Sequence, residues 1–394
     1  MTPESAPENR VPFGDVRDLI AIGEPLPFRV LDSISRLLLS QGQCVQSERQ
    51  HELLLERGAW VEYEEVQKVR LARGGGDAGD SVTVKPPTQR PGSLFDRWEH
   101  QVWELDGLLR KVGHDAPLAS ALQAFGADLL HLIDRDVDVA LFMAVRQDDR
   151  RFALYALTHG LHTATLAALA ARQLGWSESQ VLCIVRAALT MNVSMLELQA
   201  TMAEQEARPN KRQMELIRSH PESSAQMLRD SGVTDADWLA AVLDHHEQPG
   251  GGGYPRGLAE VSDMARVLRA ADVFMAKITP RALRAALTPQ QAARELFLQK
   301  SGSAVATALI KSVGVHPPGE LVQLRNGEVA IVTRRAAKGP APIVATLSNR
   351  QGQPVVATVL RDTAQAEFAI TGPLAERARF PRVLAERVYG LIEY

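Results

Sequence analysis

The residues most able to do chemistry stand together in Asp244-His245-His246-Glu247, followed at once by a glycine run, Gly250 to Gly253, and then by Tyr254, Pro255 and Gly257. Adjacent histidines at a predicted helix end are unusual, and imidazole nitrogens are good ligands for zinc, iron or manganese. A glycine-rich turn beside them lets backbone N–H groups approach an anion closely. The plain alternative is a helix C-terminus with solvated histidines, and the four-residue cluster alone does not decide between the two. His159, His220 and Asp272 sharpen the choice, because each falls on a predicted helix of the same block and helical bundles build metal sites from convergent side chains. Any one of these histidines alone reads as a packed or exposed residue, and neighbouring His162 most readily as structural.

Around these side chains, apolar residues recur at helical intervals from about Leu94 to Gly314, for example at Leu161, Thr165, Leu166, Leu169 and Ala170. Residues 94–314 are therefore expected to form a helical bundle. Residues 1–72 read as a small α+β module, with two short strands, a glycine turn, a helix started by Ser47 and a strand after Gly58. Residues 73–93, RGGGDAGDSVTVKPPTQRPGS, leave nothing to bury and are expected to be a flexible linker. Residues 315–394 switch to strand patterning. There Leu321, Leu324, Val329 and Ile331 flank Asn326-Gly327, a hairpin signal, and PIVATLSNRQGQPVVATVL suggests a further strand pair in a small barrel-like β extension.

Composition narrows the function classes. At 394 residues, 45% apolar and 23% charged, the chain has a globular balance and room for two or three domains. A net charge of −3 leaves no electrostatic footprint for nucleic acid. The two cysteines, Cys44 and Cys183, lack CxxC spacing, which excludes a cysteine zinc site and points to a reducing compartment. With a polar N-terminus and no apolar run long enough for a bilayer, the expectation is a cytoplasmic protein without membrane insertion.

The segments ALTHGLHTATLAALAARQLGWSESQ, IRSHPESSAQMLRDSG, LDHHEQPGGGGYPRGL, MARVLRAADVFMAKITPRALR and LTPQQAARELF together resemble the HD-GYP proteins, a branch of the HD superfamily of metal-dependent phosphohydrolases. HHE, a short spacer, then GYP and GL form the specific signal. The resemblance implies an all-helical HD-type domain. In active members it implies cyclic-di-GMP phosphodiesterase chemistry, in which a carboxylate-bridged group of metals binds a phosphate and supplies the attacking hydroxide. Carried onto this chain, it implies metal-ligand roles for His159, His220, His245, His246 and Asp272. It also implies ligand contacts from Gly253, Tyr254 and Pro255, and from Arg281 and Arg284, where a guanidinium fork suits phosphate and a solvated helix face is the alternative. In the family this loop is associated with contacts to diguanylate cyclases.

At the family's namesake His-Asp doublet this sequence departs. In AALTMNVSMLEL, where relatives have His-Asp, two residues and often Lys, stand Met191, Asn192, Val193, Ser194 and Met195. A thioether does not replace imidazole on a hard or borderline cation, and a neutral carboxamide does not bridge two cations as aspartate does. Tyr155 occupies the position, one helical turn before His159, where some members carry a glutamate for a third metal. The residual set that the resemblance implies is His220, His245 and His246 around one metal position, with His159 and Asp272 at the other. Three imidazoles suit a single divalent zinc, iron or manganese ion with an open coordination position. Losing one oxyanion-stabilising donor costs about 100-fold or more in rate, and losing a bridging ligand should cost more.

The expectation is a degenerate member that binds cyclic-di-GMP or docks on diguanylate cyclases without efficient hydrolysis, with a homodimer as one expected assembly. An active metal-dependent phosphodiesterase or other phosphohydrolase is the alternative. A helical scaffold holding no metal is the third reading.

Overall fold

The structure, a computed structural model, describes residues 10–31, 37–45, 48–56, 58–74, 93–113, 118–146, 154–299, 303–336, 339–355, 357–374 and 385–389. Ser47 and nearly all of the expected linker, residues 75–92, lie outside the described residues. The chain divides into two compact units, Met1–Gly107 and Leu108–Tyr394.

In the first unit the strands β1 (Arg10–Pro12), β2 (Val30–Leu31), β3 (Leu37–Leu39) and β4 (Trp60–Glu62) form an antiparallel sheet in the order β1-β4-β2-β3. Helices α1 (Glu48–Glu56) and α2 (Tyr63–Gly74) accompany it, and α3 (Leu94–Leu109) belongs mostly to this unit. Phe13, Phe28, Val30, Leu54 and Val61 are fully buried and supply its core.

The second unit is a helical block. Its helices are α4 (Leu118–Arg135), α5 (Val137–Val145), α6 (Tyr155–Gln173), α7 (Glu178–Thr190), α8 (Leu196–Glu204), α9 (Lys211–Asp230), α10 (Ala236–Asp244), α11 (Asp263–Ile278), α12 (Pro289–Gln299) and α13 (Ala304–Val313). Helix α6 is the axis, buried along nearly its whole length and packed against α5, α7, α8, α11 and α13. A helix apolar all round belongs inside a bundle, and Ala164, Ala167, Ala168 and Ala171, all fully buried, let its neighbours come close.

Local chemistry starts the site-bearing helices. Ser177 and Asn210 open α7 and α9 with capping boxes closed by Gln180 and Gln213. Asp235 and Ser262 cap α10 and α11 through Trp238 N and Ala265 N. Trp238 then donates its indole N–H to the Thr190 hydroxyl at 2.9 Å, tying α10 to the end of α7.

By length and composition alone, Glu178–Glu204 would pass as a membrane span, which corrects the expectation that no such run exists. In the fold this stretch is interrupted by a short 3-10 turn at Val193–Met195, and 61% of its most apolar window is buried inside the protein. Its apolarity serves the bundle core.

Strands β5 (Leu321–Leu324), β6 (Val329–Arg334), β7 (Ile343–Thr346), β8 (Leu360–Asp362) and β9 (Ile370–Pro373) form an antiparallel sheet in the order β8-β7-β6-β5-β9. The β5–β6 hairpin turns at Asn326-Gly327, where φ is +92° at Gly327, a backbone conformation that favours glycine. Val322, Leu324, Ala330, Val332 and Val344 fill its core. The sheet is fixed to the helices by ion pairs from Arg334 to Asp136 and from Arg335 to Asp138. Asp136 is also the N-cap of α5.

Phe274, fully buried on α11 two residues after Asp272, tests this packing. Phe274→Ala should lower unfolding free energy by about 3–5 kcal/mol, the usual cost of emptying an aromatic core position. Chemical denaturation measures it, and a change below about 1 kcal/mol would refute full burial at this position.

Candidate metal centre

Two helices bring His220, His245 and His246 together. His220 lies at the middle of α9, while His245 and His246 follow directly from the end of α10. One nitrogen from each can be chosen so that all three lie within 4.8 Å of one another.

The protonation pattern of two of these rings follows from their partners. His220 Nδ1 sits 2.6 Å from the Ile217 carbonyl and His245 Nδ1 2.6 Å from the Val242 carbonyl. A carbonyl only accepts, so each Nδ1 carries the proton and each Nε2 is left with a bare lone pair. Those two Nε2 atoms face one another at 3.1 Å. Lone pairs so placed need a shared proton or a cation between them.

Burial argues against the proton. It pushes His220 down to about 3, with the neighbouring His245 adding to it. Burial likewise lowers His245, and burial followed by His245 itself lowers His246 well below the ordinary histidine range. Neutral imidazoles whose far nitrogen donates to a backbone carbonyl are the usual arrangement of metal-ligating histidines. The donor set therefore fits one divalent cation, and an all-nitrogen set of three suits zinc with an open position.

The other expected ligands are spent on each other. His159 Nε2 and Asp272 Oδ1 meet at 2.7 Å in the interior. Burial opposes ionisation of Asp272, but the hydrogen bond and charge of His159 outweigh it and hold the carboxyl below the usual carboxylate range. Tyr155 stacks on His159 with ring centroids 5.4 Å apart, and its hydroxyl accepts from Arg281 Nε at 3.0 Å and from Nη2. Arg284 turns back onto the Ala276 carbonyl. Both arginines thus have intramolecular acceptors where the resemblance implied phosphate. Burial, then His159, pushes the neighbouring His162 down to about 3, which describes a neutral packed ring.

Met191 and Asn192, where the resemblance implies the doublet, follow the end of α7 and are buried. The turn that follows them rests on α9, where the Ser194 hydroxyl reaches the His220 carbonyl at 3.1 Å and Ser224 Oγ at 2.8 Å. A thioether and a carboxamide in these two places do not fit a bridged pair of cations.

Glu247 is the hub of the glycine loop, a role that sequence reasoning missed. Fully buried, its carboxylate accepts from the backbone N–H groups of Arg256, Gly257 and Leu258 at 2.6, 3.0 and 3.0 Å. Arg256 also grips Asp244, with Nε 3.1 Å from Oδ1. Tyr254, joined to Pro255 by a cis peptide bond, stacks on His246 at a centroid distance of 4.6 Å. Gly253 is required by space alone, since a Cβ there would lie 2.4 Å from both Gln248 N and Glu247 Cα.

Two outcomes follow. Gly253→Ala should displace the loop, lower stability by about 1–3 kcal/mol as overpacking does, and weaken zinc uptake, read by melting and metal analysis; unchanged uptake would detach the loop from the histidines. The second concerns acid. Folded His220 titrates near 3, below the unfolded value of about 6.5, so between those values the unfolded chain binds protons that the native state refuses. Stability is complete above the unfolded value and is lost as pH falls towards the folded one, with His245 and His246 acting in the same direction. Melting of chelator-treated protein against pH should show this decline, and His220→Gln should make it shallower; identical slopes would refute the assignment.

Residues 142–302 match the family described as HD domain. Among curated proteins, the chain is 28% identical over 182 residues to "Cyclic di-GMP phosphodiesterase PA4108" of Pseudomonas aeruginosa, covering 45% of this chain and 44% of that protein. It is 29% identical over 136 residues to "3'3'-cGAMP-specific phosphodiesterase 3" of Vibrio cholerae, covering 34% of this chain and 29% of the other. It is 30% identical over 138 residues to "Cyclic di-GMP phosphodiesterase response regulator RpfG" of Xanthomonas campestris, covering 34% and 36% respectively. The chain thus spans less than half the length of each of these relatives. A solved structure, "Bd1817, a HDG"Y"P protein from Bdellovibrio bacteriovorus", aligns with a TM-score of 0.48 at 16% identity, covering 76% of this chain and 97% of that one. Over residues 142–302, this chain is similar to the HD domain family.

Proposed function

We propose that this protein is a degenerate HD-GYP-type regulator that holds one divalent metal on His220, His245 and His246 and binds cyclic-di-GMP with little or no hydrolysis. The observation that carries the proposal is the division of the site. Three neutral imidazoles converge, while His159 and Asp272 are paired with each other and the doublet position holds Met191 and Asn192. One metal with an open position can hold a phosphate oxygen, which is a binding function. Hydrolysis of a phosphodiester by the two-metal route needs a second cation to share the charge of attacking and leaving oxygens, and this ligand set lacks the bridging carboxylate.

Names of the relatives support cyclic dinucleotides as the ligand class. The loop framed by Glu247 offers a preformed surface, suited to docking on a diguanylate cyclase or on a second copy of this chain. A metal-dependent phosphohydrolase is the second reading, and the histidine cluster itself favours it, because three imidazoles with an open position also describe some catalytic zinc sites.

Calorimetry of zinc-loaded protein with cyclic-di-GMP, followed by chromatography of the same sample, separates the readings. The expected result is about one zinc per chain, bound and intact nucleotide, and loss of the zinc in His245→Ala. Metal-dependent conversion of the nucleotide would establish the phosphohydrolase instead, and absence of both zinc and nucleotide binding would leave a scaffold. Met191→His together with Asn192→Asp should raise the metal content towards two per chain; an unchanged content would refute the assignment of the doublet position.

A further inference from the structure

Beside the histidine cluster, α11 lines a cavity of about 360 Å³. Its walls include Glu247 and Pro249, directly after His246, the α11 residues Arg266, Arg269 and Val273, and Leu296 of α12. That volume lies within the range of small-ligand pockets. Glu247 and Val273 in its walls are the chain neighbours of His246 and Asp272.

Charge in the cavity is unbalanced. Glu247 contributes a carboxylate, but both of its oxygens are occupied by the backbone N–H groups of Arg256, Gly257 and Leu258. Asp272, one turn along α11 from Arg269, is committed to His159. Arg266 pairs with Asp263 at 2.9 Å on the surface. Arg269 is half-buried and makes no hydrogen bond or ion pair among the described residues. A guanidinium drawn partly out of water with none of its five donors matched is costly to keep, and an oxyanion is the partner its fork suits. Arg266, one turn away on the same helix, lines the same wall with its charge shared with Asp263.

We propose that Arg269 is an anion-binding residue, holding a phosphate group in this cavity next to the histidine cluster. Neither the doublet nor the basic positions at Arg281 and Arg284 supply this group, since those two arginines are held by Tyr155 and by the Ala276 carbonyl. That the phosphate belongs to the same nucleotide as the one at the histidines rests on the function proposed above, and a ligand with two phosphates would engage both positions.

The 394-residue chain is stripped of metal with a chelator and titrated calorimetrically with inorganic pyrophosphate and, separately, with cyclic-di-GMP, as wild type, Arg269→Ala and Arg269→Lys. Wild type should bind pyrophosphate, Arg269→Ala should weaken it about tenfold or more, and Arg269→Lys should fall between, a point charge lacking the fork. Melting curves establish that the variants fold, and should Arg269→Ala fail to fold, Arg269→Lys carries the comparison. Absence of pyrophosphate binding in wild type, or equal binding in wild type and the folded variants, would overturn the inference. Cyclic-di-GMP bound equally by wild type and Arg269→Ala would also overturn it while leaving the proposed nucleotide in place. Arg269-dependent pyrophosphate binding, with no cyclic-di-GMP binding by the zinc-loaded protein, would support the anion position and remove the nucleotide assignment instead.

Discussion

Two bare imidazole nitrogens facing each other at 3.1 Å set the terms for everything around them. Each ring is turned to this position by a hydrogen bond from its Nδ1 to a carbonyl one helical turn back, Ile217 in α9 and Val242 in α10. The geometry thus belongs to the two helix backbones as much as to the side chains. It survives only if α9 and α10 stay in register, which their N-caps, the Trp238–Thr190 hydrogen bond and the buried face of each helix secure. Low dielectric around the rings makes protonation expensive and raises the worth of a cation placed between them.

Around that pair the interior separates into two electrostatic compartments. On one side neutral nitrogens converge with no carboxylate among them. On the other, Asp272, His159, Tyr155 and Arg281 form a chain in which charge is balanced without any outside partner. A buried ion pair of this kind contributes little net stability, yet removing one member leaves the other uncompensated. The pairing of His159 with Asp272 leaves neither side chain without a partner in the interior.

Much of this was legible in the chain. Histidine pairing before a glycine loop, and Asn326-Gly327 between apolar alternations, are local signals, and each marks a local structure. The mostly helical block and both small sheets follow from them. What the text concealed depends on partners far along the chain. Glu247 reads as part of a metal motif, but its oxygens go to backbone N–H groups nine to eleven residues away. Arg281 reads as a phosphate ligand, yet it finds Tyr155, which lies 126 residues earlier. The apolarity of Glu178–Glu204 reads as chain passing through a core only once the turn at Val193–Met195 is seen. Side-chain direction is decided by packing, which spacing alone does not encode.

The His159–Asp272 bond joins positions 113 residues apart, and the ligands between them come from different helices of the same block. No fragment of the domain contains the site. Anything that binds it therefore binds the folded block as a whole, and by mass action adds its binding free energy to that of folding. Such a ligand acts as a clamp on one cooperative unit from α6 to α11, so that occupancy and lifetime of the protein in a proteolytic environment become a single quantity.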